Sequence, residues 1–106
     1  MVQRVKLVVY VPVTHTNVVL AAMGDAGAGV IGNYTHCSFV SQGKGQFLPN
    51  DKANPFIGKC GILEIVDESR IEVTVFKERL EYVIKAMKST HPYEEVAFDV
   101  YVLEDV

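Results

Sequence analysis

The chain repeats one order of hydrophobic patterns twice, and this repetition restricts the folds open to its 106 residues. Apolar side chains alternate over residues 5–11, which predicts a strand, and then recur at helical spacing over residues 18–26. Alternation returns over residues 70–76, helical spacing over residues 80–87, and alternation again over residues 96–102. The second half therefore predicts a strand, a helix and a strand, and the first half begins in the same way.

The first half completes this plan with a second strand. Thr14 or Thr16 is placed to cap the first helix, and the glycines within residues 27–32 are suited to end it. A strand is expected next, over residues 35–41, and it continues after a bend through residues 46–48.

The middle of the chain, residues 42–61, is rich in Gly, Pro and Asn and predicts a loop. The bend is expected at Gly43 and Gly45, and residues 62–65 predict a short extra strand. Because such a segment offers few burial contacts, we expect residues 42–58 to be mobile and to lie at a subunit boundary.

Two βαβ units with right-handed crossovers predict an α+β, ferredoxin-like fold in a single domain of residues 1–106. Its four-stranded antiparallel sheet carries both helices on one face, with the short extra hairpin or strand in the middle segment. The residues expected on the other face are Val8, Tyr10, Thr74, Phe76, Asp99, Tyr101 and Leu103. This face is too apolar to stay in water, so we expect a second copy of the chain to cover it.

Composition and charge restrict which partners the protein is expected to bind and in which compartment it is expected to occur. A net charge of −3 and the absence of any Lys/Arg run longer than two predict no nucleic-acid partner. No apolar run approaches the roughly 20 residues that span a bilayer, and residues 1–12 are interpreted as a strand rather than a signal peptide. Cys37 and Cys60 lack CxxC spacing, so free thiols and a cytoplasmic location are expected.

The segment that follows the second predicted helix holds the main candidates for ligand binding. Pro92 ends that helix, which leaves His91, Tyr93, Glu94 and Glu95 at the mouth of the sheet. Lys44, in the glycine-rich run, is a further candidate, which would contact a phosphate or carboxylate of the ligand. The alternative is structural: His91 then bonds a backbone carbonyl at the helix end.

A divalent metal such as copper or zinc is a second possibility. The candidate ligands are His91, Glu94, His36 and Cys37, and copper accepts imidazole together with thiolate. Neighbouring residues His36 and Cys37 would point to opposite faces of a strand, which opposes joint chelation. No Ser/His/Asp set or HExxH motif is present, so no enzymatic activity is expected.

Several motifs occur together and in a fixed order. They are Gly27-Ala28-Gly29-Val30-Ile31-Gly32-Asn33-Tyr34, Cys37-Ser38-Phe39, Gly43-Lys44-Gly45-Gln46-Phe47, Asn54-Pro55-Phe56-Ile57-Gly58 and His91-Pro92-Tyr93-Glu94-Glu95. This series resembles the domain inserted into bacterial Nif-three-like proteins, which are often labelled as GTP cyclohydrolase type 1-like. The resemblance implies a stand-alone binding or regulatory module, because the metal centre of those proteins belongs to their flanking domains.

A more distant resemblance connects the fold and the HPYE segment to the CutA divalent-cation-tolerance proteins and the PII signalling proteins. Both families form trimers, so the resemblance implies a homotrimer as the assembly. PII proteins carry their mobile signalling loop where this chain has residues 41–46. The resemblance to CutA implies the alternative function, binding of divalent copper or zinc.

Overall fold

The computed structural model describes residues 3–106, so Met1 and Val2 of the predicted domain lie outside the described residues. The strands are β1 (Arg4–Pro12), β2 (Phe39–Phe47), β3 (Glu64–Phe76) and β4 (Phe98–Val102), and the helices are α1 (Thr16–Asp25) and α2 (Leu80–Thr90). The sheet has the order β2-β3-β1-β4, and every neighbouring pair is antiparallel. This is the predicted ferredoxin-like arrangement, and no helix within residues 3–106 is long and apolar enough to cross a membrane.

The core lies between the sheet and the helices. The odd-numbered residues 5–11 of β1 and 71–75 of β3 face α1 and α2 because side chains alternate along a strand. The fully buried core members from these elements are Val5, Leu7, Val9, Val11, Val19, Met23, Ile71, Val75, Val83 and Met87. The stripe predicted for the second helix is confirmed, whereas Val18 of the first predicted stripe is 50% exposed. One residue turns a helix by about 100°, so Val18 rotates away from the stripe of Val19 and Met23.

The first helix begins without the predicted threonine cap. A 3-10 turn at Val13–His15 leads directly into α1, and His15 occupies the cap position with no capping hydrogen bond from its side chain. Thr16 is therefore already inside the helix. Its hydroxyl lies 2.7 Å from the Ser69 hydroxyl and so connects the start of α1 to β3.

β2 and β3 form a longer hairpin than the sequence predicts. β2 begins at Phe39 and runs through its glycines without the predicted bend, while residues 35–38 are not a strand. The predicted strands at 62–65 and 70–76 belong to one strand, β3, except that β3 begins at Glu64 and leaves residues 62 and 63 outside it. All of β2 pairs with residues 64–72 of β3. β1 ends opposite Glu68, so residues 44–47 and 64–67 project beyond it. We call this projecting end of the hairpin the arm.

The face opposite the helices is more polar than the sequence predicts. Thr74 and Tyr101 both pair with Lys6 of β1, which confirms that these two residues point to this face. The same pairing places Lys6 on this face, where its Nζ lies 3.6 Å from Glu72 Oε1. Val8 is already fully buried within the single chain. The exposed apolar side chains of this face include Tyr101, which is 47% exposed, and Phe39, which is 66% exposed. Phe39 was not predicted to lie on this face.

Candidate functional site

His91 connects the end of α2 to β1. Its backbone N–H donates to the Met87 carbonyl, and its ring is almost completely buried. Ring atom Nε2 lies 2.8 Å from the carbonyl oxygen of Tyr10, and Nδ1 accepts the N–H of Tyr93 at 3.1 Å. A carbonyl oxygen only accepts, so Nε2 carries the proton and Nδ1 is bare. Burial lowers the pKa of His91, which favours this neutral form.

Tyr93 connects this segment to the sheet. Its ring packs against the Phe47 and His91 rings, at centroid distances of 5.9 Å and 5.1 Å. Its hydroxyl donates to Glu68 Oε2 at 3.1 Å. Burial, together with the charge of Glu68, raises the pKa of Tyr93 above its ordinary value, so the hydroxyl remains a donor.

A cavity of about 360 Å³ lies between the arm, the segment that follows β2 and the segment before β4. It is lined by Tyr10, Gln46, Phe47, Leu48, Pro49, Asn50, Ala53, Pro55, Phe56, Ile57, Glu68, Tyr93, Glu94, Glu95 and Ala97. Two long-range contacts hold the loop beside it. The N–H of Asn54 donates to Glu94 Oε2 at 2.7 Å, and the ring of Phe56 meets the ring of His15 at 5.6 Å between centroids.

The structure brings three of the five predicted ligand residues to this cavity, namely Tyr93, Glu94 and Glu95. His91 lies behind Tyr93 with both ring nitrogens bonded to the backbone. Lys44 is on the opposite face of the arm from Phe47 and pairs with Asp67.

Glu68 is a cavity carboxylate that was not predicted from the sequence. Its side chain lies over Gly45, where a Cβ atom would come within 1.8 Å of Glu68 Oε1. The alternation of β3 places Glu68 on a face with residues 70 and 72, but only the register with β2 places it opposite the glycines. A glycine within a strand is the one local signal of such a close approach.

The remaining metal candidates lie in a separate, smaller hollow of about 200 Å³, whose lining includes His36 and Cys37. They are not on a strand, so the expectation that they point to opposite faces is wrong. His36 has a positive φ of 59°, and its ring packs over Gly24. Its two ring nitrogens lie 2.9 Å from Asp25 Oδ1 and 3.0 Å from the Thr35 hydroxyl. Across residues 3–106, no three His, Cys, Asp or Glu side chains converge on a metal position.

The class of fold is that of CutA and PII proteins. CutA from Archaeoglobus fulgidus superimposes with a TM-score of 0.70 over 97% of this chain and 86% of its own, at 14% identity. GlnK from B. subtilis gives a TM-score of 0.65 over 95% of this chain and 85% of its own, also at 14% identity. At these identities the likeness establishes the fold alone.

Closer relatives are larger proteins. The chain is 56% identical over 100 residues to the GTP cyclohydrolase 1 type 2 homolog of Bacillus subtilis, covering 93% of this chain and 26% of that protein. A Bacillus cereus protein related to NIF3 superimposes with a TM-score of 0.86 at 50% identity, over 98% of this chain and 26% of its own. No protein-family model matches the chain. The chain is therefore homologous to the inserted region of these proteins and spans about a quarter of their length, which confirms the first resemblance.

Proposed function

We propose that the protein is a homotrimeric binding or regulatory module whose ligand site is the cavity at Tyr93, Glu94 and Glu95. The observation that carries self-association is an apolar patch at and near the end of the arm. Its members are Leu48, Ile62, Leu63 and Ile65, which are 61%, 54%, 54% and 59% exposed. Complete burial of a fully exposed side chain of this kind yields about 1.5–3 kcal/mol. These four side chains are partly buried already, so each yields about half of that when a second copy covers it.

The open edge of the hairpin supports an interface in the same region. Within residues 3–106, β3 residues 64–67 pair only with β2, so their other edge is open to a strand from another copy. The number three follows from the resemblance to CutA and PII proteins.

The chemistry of the cavity supports binding rather than catalysis. Among the described residues, no Ser, Thr, Cys, Lys or His lines it, so its reactive groups are limited to carboxylates and phenols. The Tyr93 hydroxyl is held protonated by burial and by the charge of Glu68, which raise its pKa. The groups present are those that orient a bound molecule: carboxylates, a phenol and aromatic rings.

The alternative is a site for divalent copper or zinc built from His91, Glu94, His36 and Cys37. His91 and Glu94 belong to one end of the sheet, and His36 and Cys37 to the hollow beside α1, so the four side chains could share one ion only across two copies of the chain. Calorimetric titration of Cu²⁺ and Zn²⁺ tests this alternative. Stoichiometric tight binding that is lost in both His91→Asn and His36→Asn would favour it over the cavity.

Sedimentation velocity of wild type and Ile65→Asp tests self-association. The aspartate places an uncompensated charge in the apolar contact, at a cost of several kcal/mol, so we expect a trimer for wild type and smaller species for the variant. Ile31→Asp is the matched control, because Ile31 is similarly exposed at 52% but lies in the loop after α1. A wild type that sediments as a monomer at micromolar concentration refutes the proposal.

A further inference from the structure

The cavity combines aromatic rings with carboxylates. The aromatic side chains that line it are Tyr10, Phe47, Phe56 and Tyr93. The charged side chains that line it, among residues 3–106, are Glu68, Glu94 and Glu95. Every charged side chain that lines the cavity is therefore negative, and one of them, Glu68, contacts the hydroxyl of the aromatic residue Tyr93.

Two of these carboxylates are held in position by groups of the protein. Glu68 Oε2 accepts the Tyr93 hydroxyl at 3.1 Å, and Glu94 Oε2 accepts the backbone N–H of Asn54 at 2.7 Å. A carboxylate offers about four lone-pair sites, so both keep free acceptor positions. Their orientation is settled before any ligand arrives, which lowers the entropic cost of binding.

Within the part of the chain that the structure describes, no cation is paired with these carboxylates. The ion pairs of residues 3–106 join Lys6 to Glu72, His36 to Asp25 and Lys44 to Asp67, and none involves a carboxylate of the cavity. The raised pKa of Tyr93, caused by burial and by Glu68, agrees with a negative potential at this point.

The chemistry that fits such a wall is a cation with an apolar body. An ammonium or guanidinium group is attracted to the faces of aromatic rings and forms charge-assisted hydrogen bonds with carboxylates. An anion meets only like charge among the charged side chains that line the cavity. The volume of about 360 Å³ is near the lower end of the ~300–1,000 Å³ typical of ligand sites, which suits a compact molecule.

We infer that this cavity binds a small organic cation, an ammonium or guanidinium group carried on a compact apolar body. The inference rests on the proposed role of the cavity as the ligand site of the module. It names the class of ligand, which neither the fold nor the relatives supply.

Three probes of nearly equal shape and different charge test the inference: benzylammonium, benzyl alcohol and benzoate. Each is titrated into ¹⁵N-labelled protein at pH 7, and amide shifts are followed at Ala53 and Ala97, which line the cavity. We expect benzylammonium to bind about tenfold more tightly than benzyl alcohol, a factor that corresponds to ~1.4 kcal/mol, and benzoate not to bind. Equal or tighter binding of benzoate overturns the inference.

Variants that each remove one negative charge test which carboxylates of the cavity bind the cation. Glu95→Gln and Glu68→Gln keep the shape of the side chain and remove its charge, so each should weaken benzylammonium about threefold to tenfold. Glu78→Gln is the control, because Glu78 lies in the 3-10 turn before α2, away from the cavity. An equal loss in the control, or no loss in either cavity variant, shows nonspecific attraction to an acidic protein and overturns the inference.

The same titration in Ile65→Asp separates this inference from the proposed assembly. If benzylammonium binds the variant but not an oligomeric wild type, a second copy occupies the cavity and the inference fails while self-association stands. If it binds a monomeric wild type at the cavity, the ligand inference stands and the proposed trimer fails.

Discussion

Replacement of His91 tests how the end of α2 is joined to the sheet. The change His91→Ala removes the donor to the Tyr10 carbonyl and the acceptor for the Tyr93 N–H. Each partly buried backbone group that loses its partner costs about 1–3 kcal/mol, and the contact between the imidazole and Tyr93 is lost as well. We therefore expect the free energy of unfolding to fall by about 2–6 kcal/mol.

Two further substitutions divide this loss into its parts. In His91→Asn the amide oxygen can take the place of Nδ1, and in His91→Gln the amide nitrogen can take the place of Nε2. Each variant should keep one of the two hydrogen bonds and lose about 1–3 kcal/mol. A full loss in both variants would show that ring packing, rather than hydrogen bonding, sets the stability.

Urea unfolding followed by circular dichroism at one fixed protein concentration measures these values, because oligomer stability depends on protomer concentration. His36→Asn is the matched control. It alters an exposed histidine at a positive φ that asparagine tolerates, so its effect should stay near ±0.5 kcal/mol. If His91→Ala unfolds within ~0.5 kcal/mol of wild type, the reasoning about His91 is wrong.

Three other predictions follow from the same contacts. Because the pKa of His91 is lowered in the folded protein, its imidazole takes up a proton at a higher pH in the unfolded chain than in the folded one. Stability should therefore fall as pH drops below about 6.5, and urea midpoints of His91→Gln should lack this part of the fall. The Asn54 amide should exchange slowly with deuterium in wild type and faster in Glu94→Ala, which removes its acceptor; equal rates would contradict the contact. Gly45→Ala should displace the Glu68 carboxylate, which is the movable end of a flexible side chain, and so weaken its hydrogen bond with the Tyr93 hydroxyl. The expected loss of stability is that of one hydrogen bond, about 0.5–1.5 kcal/mol, measured by thermal unfolding; an unchanged melting temperature would contradict the close approach.

The elements could be predicted because their signals are local. Alternation and helical spacing each concern residues a few positions apart, so β1, the stripe of α2 and the fold class were recognisable from the sequence. The ends of β2 were not. Gly43 and Gly45 look like a bend, but cross-strand pairing with β3 keeps them extended, and the side chain of Glu68 uses the space that Gly45 leaves.

The cavity could be predicted only in part, because its walls meet through contacts between distant positions. Tyr93, Glu94 and Glu95 were recognisable from the end of α2 and Pro92. The contact of Glu94 with Asn54 spans 40 residues, and the position of Glu68 depends on strand register. Neither leaves a pattern in the local sequence, so the third carboxylate and the aromatic wall became visible only in the folded chain.

Native mass spectrometry of the purified wild-type protein tests the central claim, a self-associating module that holds a ligand, most directly. The account predicts a dominant species of three chain masses at micromolar concentration, and any retained small molecule should be released as a cation. A dominant species of one chain mass under the same conditions would contradict the account.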